Sequence, residues 1–146
     1  EDELQAVRAF TEWRWDIGRT IDYLETRPDI DASRTGYIGL SFGSSSTLPL
    51  LVLEPRLRAA VLYAGGLYSM PSPMLDLAAH APRIRIPVLM VNGRYDQVFP
   101  VETLQKPLFR LLGSPPADKK HVLLESAHGS PPRAPVLKET LGWYDK

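Results

Sequence analysis

Tyr37-Ile38-Gly39-Leu40-Ser41-Phe42-Gly43-Ser44-Ser45-Ser46 decides how the rest of this chain is read. Its first residues suit a short buried strand, and those after Gly43 can start a helix. Gly39-Leu40-Ser41-Phe42-Gly43 fits the Gly-x-Ser-x-Gly pattern of a nucleophile elbow, in which a strand turns sharply into a helix. The turn leaves no room for side chains on its flanks, so glycine is expected to be needed at 39 and at 43 alike. Ser41 would stand at the apex on strained backbone, its hydroxyl projecting from the sheet edge. The positive end of the following helix would point at it, where anionic charge develops. Ser44, Ser45 and Ser46 are expected to cap or line the first helical turn rather than react. A flexible Gly/Ser loop is the plain alternative, because five-residue matches arise by chance. The rest of the chain weighs against it.

A chain of 146 residues is read as a single domain, and 44% hydrophobic with 23% charged residues fits an ordinary globular protein. Seventeen basic and seventeen acidic residues cancel, which leaves no net field to attract nucleic acid or an anionic membrane. Cysteine is absent, so disulfides and thiolate metal sites are excluded. His80, His121 and His128 lack the tight spacing of a zinc site, and neither a metal nor a cofactor is expected. No apolar run is long enough to span a bilayer and no signal peptide is visible, so the expected setting is cytoplasmic. The chain begins at Glu1 rather than methionine, as a processed piece would.

Working outward from the elbow, Leu4, Val7, Phe10, Ile17, Ile21 and Leu24 recur at helical spacing before it. Glu1, Asp2 and Glu3 suit the start of that helix, and Pro28 stops it after Arg27. Trp13 and Trp15 are read as packing residues. After the elbow a helix is expected to run to about Leu53, kinked by Pro49. Arg58 to Ala64 reads as a second buried strand, ended by Gly65-Gly66. Residues 67–86 read as irregular, either a cap or a plain connection, with one helical turn near Leu75 to Ala79. Pro87 to Asn92 is a third strand, apolar throughout as a strand buried on both faces should be. A helix from Val101 to Leu112 follows, interrupted by Pro107. His121 to Glu125 is a fourth strand. Ala134 to Asp145 is a last helix, with Leu137, Leu141 and Tyr144 as its apolar face. Strands alternating with helices predict an α/β fold, a parallel sheet of about four strands covered on both faces. Ligands bind such sheets outside the carboxyl ends of the strands. The elbow, the Asp96 loop and the His128 loop all lie there.

A serine hydroxyl is a poor nucleophile at neutral pH. It needs an imidazole to take its proton, and the imidazole needs a carboxylate to hold its tautomer. Ser41, Asp96 and His128 come in the serine, acid, histidine order of α/β-hydrolases, with gaps of 55 and 32 residues that leave room for strand and helix units. Asp118 and Glu102 are competing acids, but only Asp96 directly follows a buried strand. His80 and His121 read as structural or solvated.

Three stretches carry a family resemblance. Tyr23-Leu24-Glu25-Thr26-Arg27-Pro28 through Asp31 to Ser41 resembles the elbow region of bacterial α/β-hydrolases of the dienelactone-hydrolase-like and prolyl-oligopeptidase-like group, which includes acetyl-esterase relatives. Ile86 to Asp96 resembles their acid-bearing strand and loop, and Ser126-Ala127-His128-Gly129 their histidine loop. The resemblance implies a catalytic triad of Ser41, Asp96 and His128, with the Phe42 N–H as one oxyanion-hole donor. It implies serine-dependent hydrolysis of carboxylic esters through an acyl-enzyme, with peptidase or acyltransferase use of the same triad as alternatives. A non-catalytic interaction domain that keeps the elbow for folding is a further one. Phe42, Leu67, Met70 and Val98 are the candidates for an apolar acyl pocket, and small uncharged esters suit the neutral chain. The chain resembles only the carboxyl half of the family's roughly eight strands, without the loop that supplies the second oxyanion N–H. An N–H near Gly66 or Leu67 is a candidate substitute. The edge of the elbow strand is expected to be open, and a homodimer completing the sheet or the oxyanion hole is the expected partner.

Overall fold

Four strands, β1 (Gly36–Leu40), β2 (Ala59–Tyr63), β3 (Val88–Gly93) and β4 (Lys119–Leu124), run parallel in the spatial order β1-β2-β3-β4. The computed structural model describes residues 2–145, so Glu1 lies outside the described residues. Around the sheet stand α1 (Asp2–Glu25), α2 (Phe42–Ser45), α3 (Leu48–Leu53), α4 (Leu77–His80), α5 (Lys106–Leu111) and α6 (Arg133–Tyr144). None of the described helices is long and apolar enough to cross a membrane.

Strand order explains how the helices are distributed. When parallel strands follow one another in sequence and every crossover has the same hand, all crossovers fall on one face. Ala60 and Leu62 of β2 and Val88 and Met90 of β3 therefore meet Leu48 and Leu51 of α3, Leu77 of α4 and Leu108 of α5, joined by Ile21 of α1. Among the described helices only α6, which follows the last strand, reaches the other face, where Trp143 packs on Val61, Leu89 and Val91. All six residues of β3 are buried, as its unbroken apolar run requires.

One helix about 10 Å wide cannot cover strands spaced about 4.8 Å apart across a four-stranded face. The shortfall falls on β1. It pairs with β2 alone among the described strands, in register Ile38 to Val61 and Leu40 to Tyr63. Those partners belong to the α6 side, so Ile38 and Leu40 face that side too, and they are 54% and 55% exposed. The elbow strand is thus an edge strand with half its side chains bare, not a buried one.

Several local expectations are corrected. The helix after the elbow is not one kinked rod: it breaks at Ser46-Thr47, and Pro49 sits in the first turn of α3, where its missing N–H costs no hydrogen bond. On α6 the buried positions are Thr140 and Trp143, with Val136 and Tyr144 packed beside them, while Leu137 and Leu141 are exposed. The Tyr144 hydroxyl donates to the Tyr37 carbonyl at 2.8 Å, and Tyr63 and Thr140 bond through their hydroxyls. These contacts turn the helix about its axis away from the leucine stripe. Trp15 is 68% exposed and is no packing residue. Residues 67–86 hold more structure than expected, with tight turns at Pro73–Leu75 and Ala81–Arg83 around α4. Leu75, Leu77, Ala81 and Ile84 are buried, which makes much of the segment a packed connection.

Candidate active site

Ser41 follows β1 directly. Its N–H donates to the Tyr63 carbonyl at 2.8 Å, which extends the strand pairing by one residue before the chain turns. The turn forces Ser41 to φ 53°, ψ −111°, a conformation that costs a non-glycine residue about 1–3 kcal/mol. Gly39 is what lets the chain double back so tightly. A Cβ there would meet the Gly43 carbonyl carbon at 2.6 Å and the Ser44 nitrogen at 2.8 Å. Gly43 carries no such demand. Its Cβ would find only the Tyr37 hydroxyl, at 3.7 Å, so the two glycines of the motif are not equivalent. The three serines that follow are all buried. Ser44 donates to the Ser41 carbonyl, Ser45 accepts from the Gly66 N–H, and Ser46 bonds the Tyr68 hydroxyl.

The acid loop hangs from the end of β3. Asp96 is buried; its Oδ1 accepts the Val98 and Phe99 N–H groups, each at 2.8 Å, and its Oδ2 faces His128 Nδ1 at 2.8 Å. Gly93 allows the histidine loop to come this close, since a Cβ there would stand 2.8 Å from the Ala127 carbonyl oxygen. Backbone bonds from Arg94 to Leu124 and from Tyr95 to Ser126 zip the two loops together. The Arg94 and Tyr95 side chains add contacts to the Glu125 carboxylate.

His128 Nε2 lies 2.8 Å from Ser41 Oγ. An ionised carboxylate can only accept, so with a neutral imidazole Nδ1 would carry the proton toward Asp96 and Nε2 would accept from the serine hydroxyl. Serine, imidazole and carboxylate form one relay, and its members come from three separate loops at the carboxyl ends of the strands. The Phe99 ring, which the sequence did not mark, lies 5.7 Å from the imidazole. Glu102 pairs with Lys106 on the surface and Asp118 is exposed; neither contacts a histidine. His80 bonds the Met74 carbonyl, and His121 packs against Phe109, so both lie outside the relay. No cluster of three or more metal-ligating side chains occurs among the described residues.

The remaining candidates are not drawn into one pocket. Phe42 is more than half exposed and leans edge-on against Trp13, with ring centroids 5.3 Å apart. Val98 is at the surface, while Leu67 and Met70 pack against the buried cluster on the α1 side. The Phe42 N–H, at the first position of α2, has no acceptor in a preceding turn. Gly66 and Leu67 cannot supply the second donor as they stand: their N–H groups bond Ser45 Oγ at 2.9 Å and the Leu104 carbonyl at 3.1 Å. A cleft of about 360 Å³ lined by Arg34, Arg58 and Asp118 opens at the opposite, amino-terminal rim and holds none of the relay residues.

Residues 3–111 match the profile of the dienelactone hydrolase family, a span that includes Ser41 and Asp96. The chain belongs to that family. His128 lies beyond the matched residues. Among solved structures, a zinc-bound cold-adapted esterase from an Arctic intertidal metagenomic library is 23% identical, with a TM-score of 0.72 over 89% of this chain and 55% of that one. The 2,6-dihydroxy-pseudo-oxynicotine hydrolase is 18% identical, with a TM-score of 0.72 over 91% of this chain and 46% of that one. Acetyl xylan esterase 1 of Thermoanaerobacterium is 20% identical, with a TM-score of 0.67 over 90% and 51%. At these identities the likeness is one of fold. This dienelactone hydrolase family member spans about half the length of the structures it matches. No curated protein matches it in sequence.

Proposed function

We propose that this chain carries the nucleophile and proton relay of a serine hydrolase acting on small uncharged carboxylic esters. The observation that supports it is the unbroken line Ser41 Oγ, His128 Nε2, His128 Nδ1, Asp96 Oδ2, with both hydrogen bonds at 2.8 Å. In this reading Ser41 Oγ attacks the ester carbonyl while its proton passes to His128 Nε2, and Asp96 steadies the imidazolium. The Phe42 N–H takes the oxyanion of the tetrahedral intermediate. His128 then gives the proton to the leaving alcohol, and a water deprotonated by the same imidazole releases the acid from the acyl-enzyme. The second oxyanion donor is assigned to a partner. A second copy of the chain pairing along the open β1 edge, where Ile38 and Leu40 are bare, would bring new backbone N–H groups beside Ser41.

Fluorophosphonate labelling tests the chemistry. Covalent modification at Ser41 is expected, absent in Ser41→Ala and strongly reduced in His128→Ala. A well-folded sample that takes no label sinks the reading and leaves a non-catalytic domain. Mass in solution, measured alongside hydrolysis of a short-chain p-nitrophenyl ester, tests the partner: a monomer that turns over freely needs no second copy.

A further inference from the structure

We propose that Gln105 is a positioning residue for the acid of the relay: it locks the loop that carries Asp96 and so decides where His128 stands. The inference rests on the triad reading above. Its starting point is Pro107, which has no N–H to donate and whose ring crowds the carbonyl four residues back. The helix widens just before it, over Val101–Gln105. The Gln105 N–H reaches the Pro100 carbonyl at 3.3 Å and the Lys106 N–H the Val101 carbonyl, a spacing of five residues instead of four. Such widened turns recur at functional sites, because the extra residue redirects the side chains around it.

The side chain on the inner side of this turn is a glutamine with no exposed surface. Its Nε2 donates to two carbonyls, Gly93 at 3.1 Å and Phe99 at 2.6 Å. Gly93 closes β3 and Phe99 ends the acid loop; Asp96 stands between them. One planar amide therefore bridges both feet of the loop, with its two N–H directions fixed. Everything that orients the carboxylate hangs from those feet. Asp96 N–H shares the Gly93 carbonyl, Val98 and Phe99 N–H hold Oδ1, and the Phe99 ring backs the imidazole. A position that needed only filling would take an aliphatic side chain, since a buried amide is costly, and here Nε2 alone is bonded while Oε1 meets no partner among the described residues.

Gln105→Met keeps the length and volume and removes both donors. In p-nitrophenyl ester hydrolysis kcat is expected to fall about 100-fold while KM stays within about threefold, because geometry is lost and binding is not. The proton NMR line of His128 Nδ1–H, far downfield when bonded to Asp96, should broaden or vanish in the variant. A merely structural role would lower the melting temperature and leave both readouts in place. If Gln105→Met does not fold, Gln105→Asn decides. It is one methylene shorter and reaches one carbonyl only, for an expected loss of about 10-fold in kcat. Either folded variant with wild-type kcat and an unchanged His128 line overturns the proposal. If the wild-type protein takes no fluorophosphonate at Ser41, the hydrolase reading falls instead, and the fate of the His128 line still judges Gln105.

Discussion

Substituting alanine at Gly39 and at Gly43, one at a time, separates the two glycines of the elbow. At Gly39 the new methyl would lie 2.6 Å from the Gly43 carbonyl carbon and 2.8 Å from the Ser44 nitrogen, against about 3.4 Å or more for an ordinary contact. These are backbone atoms, and they are held. Tyr37 Oη and Thr47 Oγ1 both donate to the Gly43 carbonyl, so the start of α2 cannot slide away without breaking them. Relief needs a shift of nearly 1 Å between β1 and α2, and Ser41 is the hinge. Overpacking of this kind costs about 1–3 kcal/mol, and with two part-buried hydrogen bonds loosened we expect at least about 3 kcal/mol. A misplacement of about 1 Å at the nucleophile should also slow labelling of Ser41 about 100-fold. Gly43→Ala meets nothing closer than 3.7 Å and replaces a helical glycine, so stability should hold or rise by up to about 1 kcal/mol. Urea denaturation followed by circular dichroism, with labelling rates on the folded samples, measures both. Equal damage from the two substitutions, or a Gly39→Ala variant within about 1 kcal/mol of wild type, would refute this account of the elbow.

Ser41→Gly should abolish labelling yet raise stability by about 1 kcal/mol in the same urea experiment, because glycine accepts φ 53° without strain. His121 gives a pH prediction. Burial, with Lys106 adding to it, holds its pKa down at about 4 against the usual 6.5, so the unfolded chain binds the extra proton between those values. Stability should therefore fall as pH drops from about 6.5 to about 4, by roughly 2–3 kcal/mol from this group, and level off below. His121→Leu should lack that component when the two pH profiles are subtracted. Trp143→Ala should cost about 3–5 kcal/mol by thermal or chemical denaturation, whereas Trp15→Ala, on an exposed side chain, should stay within about 0.5 kcal/mol.

Much of the fold was legible because its signals are local. The apolar run of β3 announced a strand buried on both faces, and the spacing from Val7 to Ile21 announced α1. The Gly-x-Ser-x-Gly stretch, followed by an aspartate and a histidine each just past a strand, put the three relay residues at one rim through topology alone. What failed was equally specific. The leucine stripe on α6 has the pattern of a buried face, but Tyr144 and Thr140 bond β1 and β2 and rotate it outward. Gly43 looked as constrained as Gly39, and only the path of the backbone shows that one is crowded and the other open.

Sequence by itself determined the order of strands and helices along the chain and the end of the sheet where the elbow, the Asp96 loop and the His128 loop gather, since these follow from periodicity, punctuation and the rule that parallel strands share a direction. Tertiary structure alone decided the 2.8 Å contacts that join the relay, the engagement of Gly66 and Leu67 elsewhere, and the burial of Gln105 beneath the acid loop. The reason is physical. A hydrogen bond between groups 87 residues apart depends on where two loops come to rest, and that is settled by how whole elements pack, not by the residues beside either group.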